Sequence, residues 1–395
     1  MYLRAMLFQS YELFLGIVLG AIVYNVVRLA SRLQRVVLLG MNVLVLLTLV
    51  REHTLIVLGV LGLLVYAGGV LVRRRAAGLA ALVVGLVALF SVRNYPLIYE
   101  ALGPVVQGPV LSVEKLGLSY ILFRWVHWLV ENRRGRIERS DVLTFLNYTF
   151  FFPTILAGPI DTYRNFAYGE GHRPRRAELA GALAGVWRVG LGAFKTLVLV
   201  PVVRPWAVDW EAVGWGPMAS MGTSLAAYSA YILLDFSGYT DIAVGVGRWM
   251  GFRVPENFDR PYGSRSLGEF WRRWHMTFSR FLRAYVFLPL IGWMNRWEAL
   301  RGRRLLVTSG AYVVTFLVCG LWHGDRLHFV LWGAWHGVGL VVNKLWRERW
   351  RPAGWQGPGY EAASVAGTWL FVTLGWGLFH YPLGAWAAWW QALMR

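Results

Sequence analysis

The chain has 395 residues, of which 57% are hydrophobic and 15% are charged, whereas a soluble domain carries about 25% charged residues. Its net charge is +19, from 40 basic and 21 acidic residues, but the arginines cluster in short loops between apolar runs, a pattern typical of membrane topology rather than of a nucleic-acid surface. The single cysteine, Cys319, excludes an internal disulfide framework.

Apolar runs recur along the chain, and a spanning helix needs roughly 20 mostly apolar residues. The runs cover residues 11–30, 36–50, 55–72, 76–90, 142–159, 177–203, 218–234, 305–322, 329–342 and 364–378. They are continuous, whereas barrel strands alternate apolar and polar residues. The pattern therefore predicts an all-α polytopic membrane protein with roughly ten or eleven transmembrane helices plus interfacial helices. The first run lacks a nearby cleavage site and is predicted to be a retained span.

Arginine clusters separate several of these runs, at 73–75, 133–136, 173–176, 301–304 and 347–351. We interpret each as a topology signal, and we expect the loops at 73–75 and 301–304 to face the cytoplasm. From about residue 110 onward, aromatic, histidine and acidic residues enter the apolar runs. Polar groups in lipid are costly and tend to mark functional sites, so the chemistry is expected in this second part.

Two carboxylates, Asp235 and Asp241, interrupt the apolar run around residues 231–251. A carboxylate in a membrane pairs with a cation or lines a cavity. Pairing with one of the many arginines is the favoured interpretation here, ahead of direct catalysis.

The sequence pattern of residues 264–285 predicts an amphipathic helix. Ser266 followed by Glu269 forms a capping box, which predicts the start of the helix. At about 100° per residue, the aromatic side chains fall on one face and the arginines on the other, as in a helix at the membrane interface. His275 lies at the edge of the apolar face, where it is either an interfacial histidine with a backbone partner or a functional residue.

Three histidines, His323, His328 and His336, stand in or beside the last motif-rich segment, 319–337. On one continuous helix, His323 and His336 would lie roughly 20 Å apart along the axis and could not share a small site. Their spacings match no common helical metal-ligand pair, so no metal site is predicted. Gly320 and Gly324 flank His323, as Gly333 and Gly337 flank His336, and such glycines allow close approach of another backbone. The alternative for each histidine is a satisfied packing role.

Several long motifs in order carry a resemblance to a known family. They are FFPTILAGPIDTYRNF at 151–166, LLDFSGYTDIAVGVGRWMGFRVPENFDRPY at 233–262, SRSLGEFWRRWHMTFSRFLRAYVFLPL at 264–290 and GLWHGDRLHFVLWGAWHG at 320–337. Over residues 110–345 the chain resembles the bacterial branch of the membrane-bound O-acyltransferases. The resemblance implies three regions: N-terminal transmembrane helices at 1–109, a catalytic core at 110–345 and a C-terminal transmembrane region at 346–395.

The family resemblance implies a multi-helix funnel with a tunnel through a thinned centre, in the bacterial cytoplasmic membrane. His323 matches the essential family histidine and His275 the second one, whereas His336 lies in a motif that is mainly structural in the family. The implied donor is an acyl thioester, either acetyl-CoA or an acyl carrier protein, with no bound cofactor. The implied acceptor is a hydroxyl of an exported polysaccharide or envelope polymer, with accessory extracytoplasmic acyltransferase subunits as partners.

The residues are consistent with direct acyl transfer. A histidine can act as general base near its ordinary pKa. No Gly-x-Ser-x-Gly elbow is present, and Cys319 lies in an apolar run where a thiolate would be costly. Transfer without a covalent acyl-enzyme is therefore favoured.

Two features depart from the family pattern. Ala284 stands where the family often has aspartate, and Asp325 and Arg326 follow the LWHG motif where an apolar or small residue and an aromatic are usual. The charged residues put the substrate in question, so D-alanyl transfer to teichoic acid remains an alternative to acetyl transfer. Outside enzymology, the alternatives are a transporter or flippase and a structural scaffold, the latter requiring no contribution from His323.

Overall fold

The computed structural model of the protein describes residues 19–21, 24, 31–94, 117–137, 141–171, 179–324, 326–352 and 354–395. These residues form two compact units, one made of Met1–Ala193 with Gly238–Pro255 and the other of Phe194–Ser237 with Glu256–Arg395. Regular structure in the described ranges is helical, so the predicted all-α fold is confirmed. Most of the apolar run at 11–30 and Asp325 lie outside the described residues.

The first part of the chain forms helices that lie in the first unit. They are α1 Ser31–Leu47, α2 Glu52–Leu71, α3 Ala76–Asn94, α4 Leu118–Arg133, α5 Val142–Phe150, α6 Tyr163–Gly171 and α7 Leu179–Phe194.

The later helices carry the histidine motifs. They are α8 Val200–Val208, α9 Pro217–Trp249, α10 Leu267–Arg273, α11 Met276–Leu282, α12 Leu288–Met294, α13 Arg304–His323, α14 Leu327–Leu345, α15 Pro358–His380 and α16 Leu383–Leu393. From residue 238 onward, α9 belongs to the first unit. Single π-helical turns stand at Lys195–Leu199, Arg283–Phe287 and Trp346–Trp350.

Within the described ranges, four helices are long and apolar enough to cross a membrane. These are Glu52–Leu71, Leu183–Val208, Arg304–His323 and Pro358–His380, with Ala76–Phe90 as a shorter apolar helix. These four helices neither confirm nor contradict the predicted total of ten or eleven transmembrane helices. The run at 142–159 is not one continuous helix: α5 ends at Phe150, and a short 3-10 turn covers Phe152–Thr154. Pro153 and Pro159 lack the amide hydrogens that a continuing helix needs.

A buried arginine closes the end of α5. The Arg124 guanidinium is only 2% exposed, and it donates to the carbonyl oxygens of Tyr148 and Thr149, each at 2.8 Å, and to the Thr154 hydroxyl at 2.5 Å. Carbonyls at a helix C-terminus have no partner within the helix. Arg124 supplies that partner in a part of the unit from which water is excluded.

Asp241 pairs with Arg188, whose guanidinium nitrogen lies 2.7 Å from the carboxylate. Both side chains belong to the first unit. The interpretation of Asp241 as a structural ion-pair partner is therefore confirmed. Asp235 is half-buried in α9. Because the Arg188 ion pair involves Asp241 only, the predicted pairing of Asp235 with an arginine stays a prediction.

We expect the loops at 73–75 and 301–304 to be reached by membrane-impermeant maleimides from the cytoplasmic side only. Arg74 and Arg303 are both exposed, and basic loops are retained in the cytoplasm during insertion. Arg74→Cys and Arg303→Cys, each in a Cys319→Ala background, should react in inside-out vesicles and remain unlabelled in intact cells. Labelling of both thiols in intact cells would show that the assigned orientation is wrong.

Candidate active site

The capping box at the start of α10 forms as the sequence predicts. The Ser266 hydroxyl accepts from the Glu269 amide at 3.2 Å, while the Glu269 carboxylate accepts from the Arg265 amide at 2.8 Å. The continuous helix predicted through residue 285 is wrong, however, because α10 ends at Arg273 and α11 starts at Met276.

The helix breaks because a preceding loop pairs with the chain at His275. The Asp259 amide donates to the Arg273 carbonyl at 3.0 Å, and the Met276 amide donates to the Asn257 carbonyl at 2.9 Å. His275 lies between them with φ 40° and ψ 53°, a left-handed conformation that is uncommon outside glycine. Its side chain is 5% exposed, and it lies in the break between α10 and α11, not on the face of one continuous helix as predicted.

The contacts of the His275 ring with described residues include one polar side chain and two aromatic rings. Its Nδ1 lies 3.1 Å from the Asn257 side-chain oxygen. Phe236 meets the ring edge-on with centroids 4.7 Å apart, and Phe278 stacks on it at 5.0 Å. Burial lowers the pKa of His275 to about 3, and the nearby His323 ring acts in the same direction. The imidazole is therefore neutral at neutral pH.

His323 is the last residue of α13, and α14 begins four residues later. The assumption of one helix across 319–337 is wrong: the two helices form a hairpin, turned at Gly324. His323 is half-buried. Trp332 and Phe379 both meet its ring edge-on, with centroids at 5.1 and 4.8 Å. In the part of the chain that the structure describes, no hydrogen bond holds its ring nitrogens.

Glycines allow the α13–α14 hairpin to close, as their spacing predicts. A Cβ at Gly320 would collide with the Phe329 carbonyl, and one at Gly333 with the Phe316 carbonyl. At Gly337 an added Cβ would approach the Val313 Cα to 2.9 Å. These contacts fix where His323 lies relative to the aromatic residues of α14.

The other two histidines of the motif have different surroundings. His328 is buried and its Nδ1 donates to the Leu378 carbonyl at 3.1 Å, so it is a satisfied packing histidine. His336 is fully buried against Trp271 and Trp332, and its nitrogens have no hydrogen-bond partner among the described residues.

The predicted separation of His323 from His336 is wrong because the hairpin folds them towards each other. Trp332 lies between the two rings, with its centroid 5.1 Å from His323 and 5.0 Å from His336. The two imidazoles are therefore at most about 10 Å apart. Distance alone does not separate His336 from the candidate site, and its structural role stays a prediction.

The structure brings His275 and His323 into one cluster through two aromatic rings. Phe278 stacks on His275 and lies 4.5 Å from Trp322, whose ring is 4.5 Å from His323. One imidazole is held by a buried amide, and the other is held only by ring contacts. A pair of this kind can accept and return a proton.

A cavity of 1010 Å³ opens beside α10, α14 and α15 in the same unit. Its apolar wall includes Trp335 and Phe371, and Phe371 also contacts the His336 ring at 5.7 Å. Its cationic wall includes Arg272, Arg347 and Arg351. Sequence analysis interpreted the 347–351 cluster only as a topology signal, although its i, i+4 spacing could have suggested a shared face.

The carboxylates of this cavity are paired with other arginines. Glu269 binds Arg273 at 2.8 Å, and Glu361 binds Arg265 at 2.6 Å. Among the described residues, Arg272 and Arg347 have no carboxylate partner. The cavity therefore presents positive charge next to an aromatic wall.

The described residues thus combine apolar helices long enough to cross a membrane with two histidines in one cluster. The model of the family "MBOAT, membrane-bound O-acyltransferase family" matches residues 112–381, and the chain belongs to this family. The resemblance drawn from the motifs and the membrane location are confirmed. The match extends past residue 345, where the resemblance drawn from the motifs ends.

The chain is similar to several bacterial proteins. It is 32% identical to the teichoic acid D-alanyltransferase of Streptococcus thermophilus over 64% of this chain and 62% of that protein. It is 32% identical to the probable alginate O-acetylase of Pseudomonas fluorescens over 67% of this chain and 50% of that one. It is 32% identical to the peptidoglycan O-acetyltransferase of Helicobacter pylori over 61% and 44%. The chain thus spans about half to three fifths of these relatives.

We expect Gly333→Ala to destabilise the protein and to reduce any activity that depends on His323. The new methyl group meets the Phe316 backbone, and overpacking of this kind costs about 1–3 kcal/mol. Detergent melting curves and protease resistance would measure the loss. Gly222→Ala in α9 is the matched control, because an added Cβ there meets nothing within 4 Å. Equal melting temperatures for both variants would contradict the close crossing.

Proposed function

We propose that the protein is a membrane-embedded O-acyltransferase. It moves a short acyl group, acetyl in the first instance, from a cytoplasmic thioester to a hydroxyl of an exported polysaccharide or other envelope polymer. The observation that carries the proposal is the cluster of His275 and His323 in a chain of this family. The relatives are named for D-alanylation and O-acetylation of envelope polymers, which supports that class of acceptor.

His323 is the general base in this proposal. Its half-buried ring has no hydrogen bond to the described residues, so a nitrogen is free to meet a substrate hydroxyl. The hydroxyl proton passes to His323 as the oxygen bonds to the acyl carbon. The carbon–sulfur bond then breaks, and the proton passes to the departing thiolate. Cys319 is buried within α13, so a direct transfer is favoured over an acyl-cysteine intermediate.

The cavity beside α10, α14 and α15 is the proposed approach for the thioester donor. Acetyl-CoA and acyl carrier proteins share a phosphorylated pantetheine, and arginines are suited to bind phosphate. The cavity arginines Arg272, Arg347 and Arg351 lack carboxylate partners among the described residues, while the aromatic wall offers apolar contact to the pantetheine. Free coenzyme A and an acyl carrier protein would both present a phosphorylated pantetheine to these residues.

The donor assignment predicts that Arg272→Ala combined with Arg347→Ala raises the KM for the thioester while changing kcat little. Each charge-assisted contact is worth up to about a factor of ten at an exposed site. Initial rates with acetyl-CoA, measured at two salt concentrations, test this. Arg349→Ala is the matched control, because it lies in the same basic segment but does not line the cavity. An unchanged KM in the double variant would contradict the assignment.

D-alanyl transfer to teichoic acid is the second candidate, since a D-alanyltransferase is among the relatives. The two reactions differ in donor and acceptor but need the same proton acceptor. Purified protein offered acetyl-CoA with polysaccharide, or a D-alanyl carrier protein with lipoteichoic acid, distinguishes them. Accessory extracytoplasmic acyltransferase subunits are the proposed protein partners.

The His323 assignment predicts that His323→Ala abolishes acyl transfer and leaves a folded protein in the membrane. Loss of a general base costs about 10²–10⁴-fold in rate. His275→Ala should also impair transfer. Rates should be compared at matched expression, with detergent melting curves as a measure of folding.

His53→Ala in α2 is the control for replacing a half-buried histidine outside the cluster. More than about a tenth of wild-type activity in His323→Ala would make the proposed base wrong. No acyl transfer by the wild-type protein would instead favour a scaffold or transport role for the chain. A parallel fall of activity and melting temperature would instead assign His323 a packing role.

A further inference from the structure

Asn257 lies in the loop before α10 and is completely buried. Three hydrogen bonds converge on its side-chain oxygen. The Thr277 hydroxyl donates at 2.8 Å and the Thr277 amide at 3.2 Å, while His275 Nδ1 lies at 3.1 Å.

These contacts determine which His275 nitrogen carries the proton. A backbone amide only donates, so the Asn257 atom facing the Thr277 amide is the oxygen and not the nitrogen. An amide oxygen only accepts, so His275 Nδ1 must carry a hydrogen to bond with it. In a neutral imidazole the other nitrogen, Nε2, then holds the lone pair.

We propose that Asn257 is a positioning residue that holds His275 in the Nδ1–H tautomer and leaves Nε2 as the acceptor used in acyl transfer. The inference rests on the proposed function. Asn257 acts through His275 and has no contact with the reacting atoms in this scheme. His275 Nε2 accepts a hydrogen bond from a second hydroxyl of the acceptor, which holds the reacting hydroxyl in place, and His323 takes the proton of the reacting hydroxyl.

Asn257 also fixes the place of the ring in the site. Its carbonyl accepts from the Met276 amide at 2.9 Å, directly after the left-handed residue His275. Phe236 and Phe278 contact the ring on an edge and a face. Asn257 therefore binds the backbone next to His275 through its carbonyl and the Nδ1 of the His275 ring through its side-chain oxygen.

Other ionisable groups lie on the elements around His275. They include Asp235 of α9, Glu256 and Asp259 of the preceding loop, Arg272 and Arg273 of α10, Arg280 of α11 and His323 of α13. All of them are the same in wild type and in variants at position 257. A difference in pH dependence between those proteins therefore reports the change at Asn257.

Asn257→Asp provides the diagnostic change. A carboxylate keeps the acceptor that faces Nδ1, so the tautomer is preserved, but it also stabilises the imidazolium and raises the pKa of His275. A protonated ring has no lone pair at Nε2. On acidification, Asn257→Asp should therefore lose activity at a pH about one unit or more above that of wild type. Asn257→Ala removes the acceptor and should lower kcat about 10- to 100-fold at any pH.

Thr277→Val is the matched control, because it removes one bond to Asn257 and leaves the bond to His275. It should keep the wild-type pH profile. A merely structural role for Asn257 would move melting temperatures in all three variants and leave the acid limb of Asn257→Asp unchanged. That outcome would overturn the proposal.

A second measurement does not depend on activity. Nitrogen-15 spectra of histidine-labelled protein in lipid bilayers, with His275→Gln used for assignment, report the protonated nitrogen directly. Wild type and Thr277→Val should show Nδ1–H at His275, and Asn257→Ala a mixture of tautomers. Nε2–H in wild type would overturn the proposal. A wild-type protein that shows Nδ1–H and transfers no acyl group would instead reject the proposed function.

Discussion

Burying a polar group away from water is costly unless a neighbouring group bonds to it, and this constraint shapes both units. In the first unit, Arg124 supplies hydrogen bonds to the carbonyls that end α5, and Arg188 neutralises Asp241. In the second unit, the His275 ring is satisfied by Asn257. Where the constraint is met by neighbouring side chains, the polar group is fixed in position. The half-buried His323, which has no such partner among the described residues, keeps its hydrogen-bonding capacity for another molecule.

The two histidines of the cluster therefore differ in a way that suits acyl transfer. A proton acceptor needs an unengaged nitrogen, whereas a residue that orients a substrate benefits from a fixed ring and a defined tautomer. His323 is enclosed by Trp322, Trp332 and Phe379, which restrict its ring without engaging its nitrogens. The His275 ring is bound by the side-chain oxygen of Asn257, and its backbone has a left-handed conformation. The proposed roles, proton acceptor for His323 and substrate orientation for His275, follow from the surroundings of each ring, because both residues are histidines.

A local pattern with one physical meaning predicts this structure correctly. The apolar runs predict helices, the capping box predicts the start of α10, and the paired glycines predict a close helix crossing. The predictions are wrong where a distant segment changes the local geometry. The breaks at His275 and Gly324 depend on the pairing of 257–259 with 273–276 and on a hairpin that returns on itself. Helical periodicity carries no information about either, so the predicted positions of His275 and His336 were wrong.

The basic segment at 347–351 shows how one feature can serve two constraints. Arginines near a membrane surface favour cytoplasmic retention of a loop whatever their exact positions. In this fold, however, Arg347 and Arg351 also line a cavity whose carboxylates are already engaged by Arg265 and Arg273. A topology signal depends only on how many basic residues a loop contains, whereas an anion site depends on which of those residues line the cavity. Comparing Arg347 with Arg349, which adds the same charge outside the cavity lining, separates the two roles.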